Sequence, residues 1–383
     1  MALSSLQFTP LRLLPLHRCN GRPTNPSRTR AGALREWREY DDALKDKDLK
    51  RALGFLRSIE TLQDQNFSSS QSSIVDSEPF NGEDGELGGL LRRERNWGVL
   101  DACLNAEDMK LVGSAYGFLQ SRGFLPSFGK CRNIVLDGPR DVNPAYLKSS
   151  TGLDASKLSP KKWGLSGSST AVFVGFLGGV SFLINQGIDI RPNLAAILGL
   201  AMIDAVFLGG CCLAQISSYW PPFRRRILVH EAGHLLTAYL MGCPIRGVIL
   251  DPIVAMQMGI QGQAGTQFWD EKLEKELAEG RLSSSAFDRY CMVLFAGIAA
   301  EALIYGEAEG GENDENLFRS ICLLFDPPLS TAQMSNQARW SVLQSFNLLK
   351  WHKNAHKAAV KALESRSSLS VVIRRIEEAM VPT

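Results

Sequence analysis

The run Arg226-Ile-Leu-Val-His-Glu-Ala-Gly-His-Leu-Leu-Thr-Ala-Tyr-Leu-Met241 decides how this chain is read. His230 and His234 are four residues apart. On a helix of 3.6 residues per turn that sets both imidazoles on one face, one turn apart, where both can reach one ion. Glu231 lies about 100° round the helix, beside such an ion rather than on it. A base stands there to take a proton from an activated water. Gly233 leaves room for a substrate or a neighbouring element to come close. Ile227, Leu228, Val229, Leu235, Leu236, Tyr239 and Leu240 wrap the polar trio and predict a buried helix. The competing reading is two core histidines beside a solvated Glu. It must treat the spacing as chance in a chain with only 5 His.

The totals set outer bounds. A chain of 383 residues has room for two or three domains, and a net charge of +2 implies no general attraction to nucleic acid. The 8 Cys are scattered without a C-x-x-C, which speaks against a disulfide framework or a cysteine metal site and for a reducing compartment.

Upstream of the dihistidine run the chain changes character several times. Residues 1–35 carry Arg12, Arg18, Arg22, Arg28, Arg30 and Arg35 with no acid before Glu36, which is the composition of an organelle transit peptide, with a plastid favoured over a mitochondrion. Residues 36–66 are helical in pattern, residues 67–90 form a Ser-rich acidic linker, and residues 91–163 read as a helical module that declares no chemistry. Within 164–216 lie two apolar runs, Gly164–Ile184 and Leu194–Ile216. Each is long enough to cross a bilayer, which takes about 20 residues. Lys161 and Lys162 precede the first run, and Arg224, Arg225 and Arg226 come after the second. The positive-inside rule therefore puts both outer ends on one side, the stroma in a plastid. Membrane lipid is thus an expected partner.

Residues 217–383 hold the dihistidine helix and the rest of the chain. Ile245–Leu250 reads as a short strand and Gly262–Phe268 as its partner, whose edge could hold an extended peptide. The acids of Asp270–Glu276 read as a solvated helix face, Phe287–Tyr305 as one buried helix, and Thr331–Leu363 and Leu369–Met380 as amphipathic helices. His352 and His356 are also four apart. They lack an adjacent Glu and lie among lysines, so they read as an exposed helix face. The fold expected is mainly α: a transmembrane helical hairpin followed by an α-helical zinc-peptidase domain with a small β-hairpin.

H-E-x-x-H sites differ in what completes them. Thr237 and Leu240 stand where a metzincin needs glycine and histidine, so that class is excluded. Two later runs stand out, Ala296-Gly-Ile-Ala-Ala-Glu301 and Gly310-Gly-Glu-Asn-Asp314. Together with His230–His234 and Ala238 they resemble the peptidase domain of the FtsH family of membrane-anchored zinc metalloproteases. The resemblance covers about residues 225–380. It implies a Zn2+ cofactor held by His230, His234 and Asp314, with Glu231 catalytic, Asn313 shaping the loop, and Glu301 in an orienting or structural role. Ile298 and Glu312 replace an Arg and a Ser usual in the family. No G-x-x-x-x-G-K-[ST] occurs anywhere, so no ATP binding by this chain is expected. It looks like plant plastid relatives that keep the peptidase and lack the motor.

The resulting expectation is a zinc endopeptidase of the chloroplast membrane, thylakoid or inner envelope, with its peptidase domain facing the stroma. Its substrates would be unfolded or flexible proteins. It would act as a homo-oligomer or beside an FtsH-type ATPase partner. Two alternatives stay open, a catalytically inactive FtsH-like scaffold and a site-2-type intramembrane protease.

Overall fold

Every residue from Leu228 to Met241 is buried, and the rest of the fold is arranged around that stretch. The computed structural model describes residues 30–70, 95–133, 139–159, 221–251, 265–279 and 282–381, with isolated positions between 181 and 203 and at 254. In chain order the helices are α1 (Arg30–Lys45), α2 (Leu49–Ser70), α3 (Met109–Ser121), α4 (Pro144–Thr151), α5 (Pro221–Met241), α6 (Glu271–Ala278), α7 (Ser284–Leu294), α8 (Ala296–Tyr305), α9 (Glu312–Cys322), α10 (Thr331–Trp351), α11 (Lys353–Glu364) and α12 (Leu369–Met380). Short 3-10 segments occupy Gly98–Asn105 and Ala155–Leu158. Two strands, β1 (Ile245–Ile249) and β2 (Gly265–Phe268), pair antiparallel with an irregularity between Ile245 and Gly247. The described part is therefore mainly helical with one small sheet.

The dihistidine helix α5 is apolar on nearly every side, which is the pattern of a helix enclosed by others. It packs against α7, α8 and α11 and against both strands. Gly233 is where α8 comes closest, since a Cβ there would sit 2.6 Å from the Ala296 carbonyl oxygen and 2.7 Å from the Ala300 Cβ. A mid-helix glycine costs about 1 kcal/mol against alanine. The backbone clash would cost more, so the neighbouring element, not a substrate, accounts for Gly233.

Three stretches expected as single helices are each broken. Lys47 adopts φ 53° between α1 and α2, and Asp48 caps the new helix by accepting the Arg51 N–H at 3.0 Å. Phe295, at φ −90° and ψ 2°, separates α7 from α8. His352, at φ −105° and ψ 34°, separates α10 from α11. The last break lets α10 lie on α7 and α8 while α11 turns onto α5 and α12, which one straight helix cannot do.

Residues from Tyr40 onward form one compact unit, and of the preceding unit, Met1–Glu39, the described part is the start of α1. The residues just before and after the apolar runs share a core. The last-turn carbonyls of α5, which have no intrahelical partner, are met by an upstream loop. Gly129 N–H donates to Tyr239 O at 3.0 Å, Cys131 N–H to Leu240 O at 2.8 Å, and Arg132 Nη2 to Gly242 O at 2.9 Å. Tyr116 Oη donates to Ile245 O at 3.1 Å, and Asp101 accepts from both Ser370 N–H and Ser370 Oγ at 2.8 Å. The helical module thus braces the end of the dihistidine helix and the strand after it.

Among the described residues no helix is long and apolar enough to cross a membrane. The runs Gly164–Ile184 and Leu194–Ile216 lie outside the described residues apart from scattered helical positions, as do most of the leader and the acidic linker. Cys103, Cys131, Cys243, Cys291 and Cys322 are buried and free.

Candidate metal centre

His230 and His234 project from consecutive turns of α5, their ring centroids 4.7 Å apart. Both rings meet Asp314, in the first turn of α9. Its Oδ2 lies 3.1 Å from His230 Nε2 and 3.4 Å from His234 Nε2. Helix α9 opens with Glu312, Asp314 and Glu315 in its first turn, where the helix dipole favours acids. So the carboxylate that faces the rings also suits its own helix terminus.

The far nitrogen of each ring is held as well. His230 Nδ1 donates to Glu301 Oε1 at 2.8 Å, and His234 Nδ1 to the Val293 carbonyl at 2.8 Å. In the neutral ring an N–H at Nδ1 leaves the lone pair on Nε2, which is the form a cation would need; without a cation, Nε2 carries a proton toward Asp314. Val293 belongs to the last turn of α7, where carbonyls are left without helical partners. The break at Phe295 therefore supplies the group that fixes the second ring. Gly297 permits the packing over the first, since a Cβ there would fall 2.3 Å from His230 Nε2.

Glu301 is 2% exposed and fully satisfied. Besides His230 it accepts the Glu309 N–H at 2.9 Å, the Gly310 N–H at 3.1 Å and Arg226 Nη1 at 3.0 Å. These contacts set the local electrostatics. Burial disfavours charge on His230, but Asp314 and Glu301 outweigh it and hold that imidazole well above its ordinary pKa. His234 is raised against the same burial, chiefly by Asp314. Burial alone would push Asp314 and Glu301 up, yet the imidazoles hold Asp314 well below the usual carboxylate range, and His230 leads in lowering Glu301. The centre without an ion is thus a knot of opposite charge that a cation could replace.

Glu231 sits beside this knot. Its Oε2 accepts the Thr266 N–H at 2.7 Å and the Thr266 Oγ1 hydroxyl at 2.9 Å, which ties α5 to β2. His230, Glu231 and His234 each offer a donor atom within 4.8 Å of the others, and all three are buried. This group could bind a metal ion. A two-imidazole, one-carboxylate set at Asp314 adds a donor chemistry suited to divalent first-row metals.

The structure gathers His230, Glu231, His234, Glu301 and Asp314 in one place, with Asn313 on the exposed side of the first turn of α9. Two other expectations need correcting. His356 is not on an exposed face. It is 1% exposed, and its Nε2 donates to the Val229 carbonyl at 3.0 Å, since α11 lies against α5. Asp270 is not solvated either. It caps α6 through the Lys272 and Leu273 N–H groups, both at 3.1 Å, and pairs with Arg289, whose Nε is 2.6 Å away. Three groups at the centre were missed from sequence: Thr266, the Val293 carbonyl and Arg226. Only Arg226 left a trace, one turn before His230 on the same face. The chain matches no family model, and no curated protein or solved structure is significantly similar to it.

Proposed function

We propose that this chain is a zinc-dependent endopeptidase. One observation carries the reading: two imidazole nitrogens, on rings whose Nδ1 atoms are each held elsewhere, converge on one carboxylate oxygen. Donors about 2.0–2.1 Å from a tetrahedral zinc lie about 3.3 Å from one another. The separations here are 3.1 and 3.4 Å. His230, His234 and Asp314 would hold the ion. Zinc bound there would act as a Lewis acid and bring the pKa of a water toward about 7.

The protein's own part depends on Glu231. Thr266 occupies Oε2, which leaves Oε1 to take the proton of the attacking water and return it to the leaving amine. Strand β2, tied to Glu231, offers an edge against which an extended peptide can lie. With no nucleotide-binding loop in the sequence, substrates are already unfolded or are delivered by a partner with a motor.

The membrane assignment rests on the two apolar runs. Each is about the 20 residues that a bilayer crossing takes. The arginine-rich leader points to a plastid membrane with the metal centre on the stromal side. An intramembrane protease of the site-2 type needs its carboxylate within a span. Asp314 instead opens a short polar helix, Glu-Asn-Asp-Glu-Asn-Leu-Phe-Arg-Ser-Ile-Cys.

Metal content of the purified full chain tests this reading, with His234→Ala and Asp314→Ala beside wild type and casein cleavage as the activity. Stoichiometric zinc and cleavage in wild type, with zinc lost in both variants, support it. Zinc bound without cleavage turns the reading to a scaffold, and no zinc in wild type ends it.

A further inference from the structure

In sequence, Arg226 is the last of three arginines after an apolar run, and such residues usually face lipid headgroups or water. Arg225 does so: its side chain is 62% exposed and stands 3.7 Å from Glu364. The Arg226 side chain is only 16% exposed and turns inward. Its Nη1 donates to Glu301 Oε2 at 3.0 Å and to the Glu307 carbonyl at 3.3 Å. Its Nη2 lies 3.5 Å from Glu309, and its guanidinium lies 4.5 Å above the Tyr305 ring. A guanidinium held by a ring face and three oxygens has little freedom left.

Those partners are not arbitrary. Glu301 holds the Nδ1 of His230, and Glu307 and Glu309 belong to the loop that leads to Asp314. A carboxylate as buried as Glu301 needs an opposite charge to stay turned inward. We infer that Arg226 is a positioning residue of the metal centre: it clamps Glu301 and the loop before Asp314, so that His230 and Asp314 meet at the distance the ion requires. The inference rests on the metal reading above. It also makes the second turn of α5, one turn ahead of His230, part of the centre.

The test is zinc affinity of the full chain by competition with a chromogenic chelator, with the absorption spectrum of the cobalt-substituted protein as a second signal. Arg226→Ala should weaken zinc by about 10- to 100-fold, the usual cost of losing a group that orients a ligand, and should alter the cobalt bands. Arg226→Lys should recover part of both. Arg225→Ala should change neither. Unchanged affinity and an unchanged spectrum in Arg226→Ala overturn the inference while leaving the metal site standing. A third signal is independent of metal. With only 5 His, selective ring labelling resolves His230 by NMR. Its Nδ1–H resonance should be protected from exchange in wild type and exposed in Arg226→Ala. Should wild type bind no zinc, the metal reading falls alone, and a protected resonance in the variant is then what overturns this inference.

Discussion

His230 and His234 on one helix, and His352 and His356 where two others meet, have the same spacing in sequence. Their surroundings differ. The first pair stays on one unbroken helix, has each Nδ1 held, and meets a carboxylate at both Nε2 atoms. The second pair straddles a break: His352 ends α10, while His356 is pulled inward to donate to the Val229 carbonyl. Spacing alone puts two rings on one face only if the helix runs through both. What makes a site is the third group and the contacts that fix the tautomers. The pairs are also charged in opposite directions. Asp314 raises both His230 and His234 against their burial, with Glu301 adding to it at His230, whereas burial lowers His356.

The sharpest way to break this contrast is at Glu231, which the second pair lacks. Glu231→Gln should cut casein cleavage by about 100- to 10,000-fold, the range for a lost general base, with zinc content unchanged. Cleavage at the wild-type rate would leave the first pair with no more chemistry than the second.

Next in size is the carboxylate. Asp314→Asn should weaken zinc well beyond the roughly 10- to 100-fold that an orienting group is worth. His356→Gln should leave zinc affinity as it was. Equal losses in the two variants would mean that affinity depends on the packing of α5 rather than on a shared donor. The reverse holds for stability. His356→Ala removes a buried ring and its hydrogen bond to the Val229 carbonyl, so it should cost about 2–3 kcal/mol in chemical denaturation. His352→Ala, at a half-buried helix end, should cost about 0.5 kcal/mol or less.

The same pair of sites marks how far the sequence carries. The dihistidine helix was legible because its side-chain period, its apolar wrap and its absence of Pro beyond the first turn agree. Glu231 came with it through fixed helical geometry. Asp314 and Glu301 were reached only through resemblance, because no local spacing relates α9 or α8 to α5. The breaks at Lys47, Phe295 and His352 were not legible. No Gly or Pro stands within three residues of Lys47 or His352, and Gly297 comes two residues after Phe295, so tertiary packing imposes these breaks on sequences that favour a continued helix. The inward turn of Arg226 was hidden for a different reason. Composition places an arginine near a membrane, but only the fold shows that a buried acid waits on the facing helix α8.

A more gradual effect, about 1 kcal/mol per pH unit for each group, is the pH dependence of stability. His230 and His234 have raised values in the metal-free chain, so their contribution is complete below the ordinary histidine pKa of about 6.5 and is lost as pH rises through the raised values. Asp314 is lowered, so its share is present above about 4 and fades as pH falls further. His356 is lowered too, and it costs stability as pH drops below about 6.5, because the unfolded ring takes a proton more readily. Melting in chelator should therefore show the metal centre losing stability from about pH 6.5 upward. Zinc should reverse that slope, because the ion needs deprotonated rings. His356→Gln should flatten only the acid side. If chelator-treated and zinc-loaded protein melted with the same dependence above pH 6.5, the first pair would not be the place where protons and metal compete.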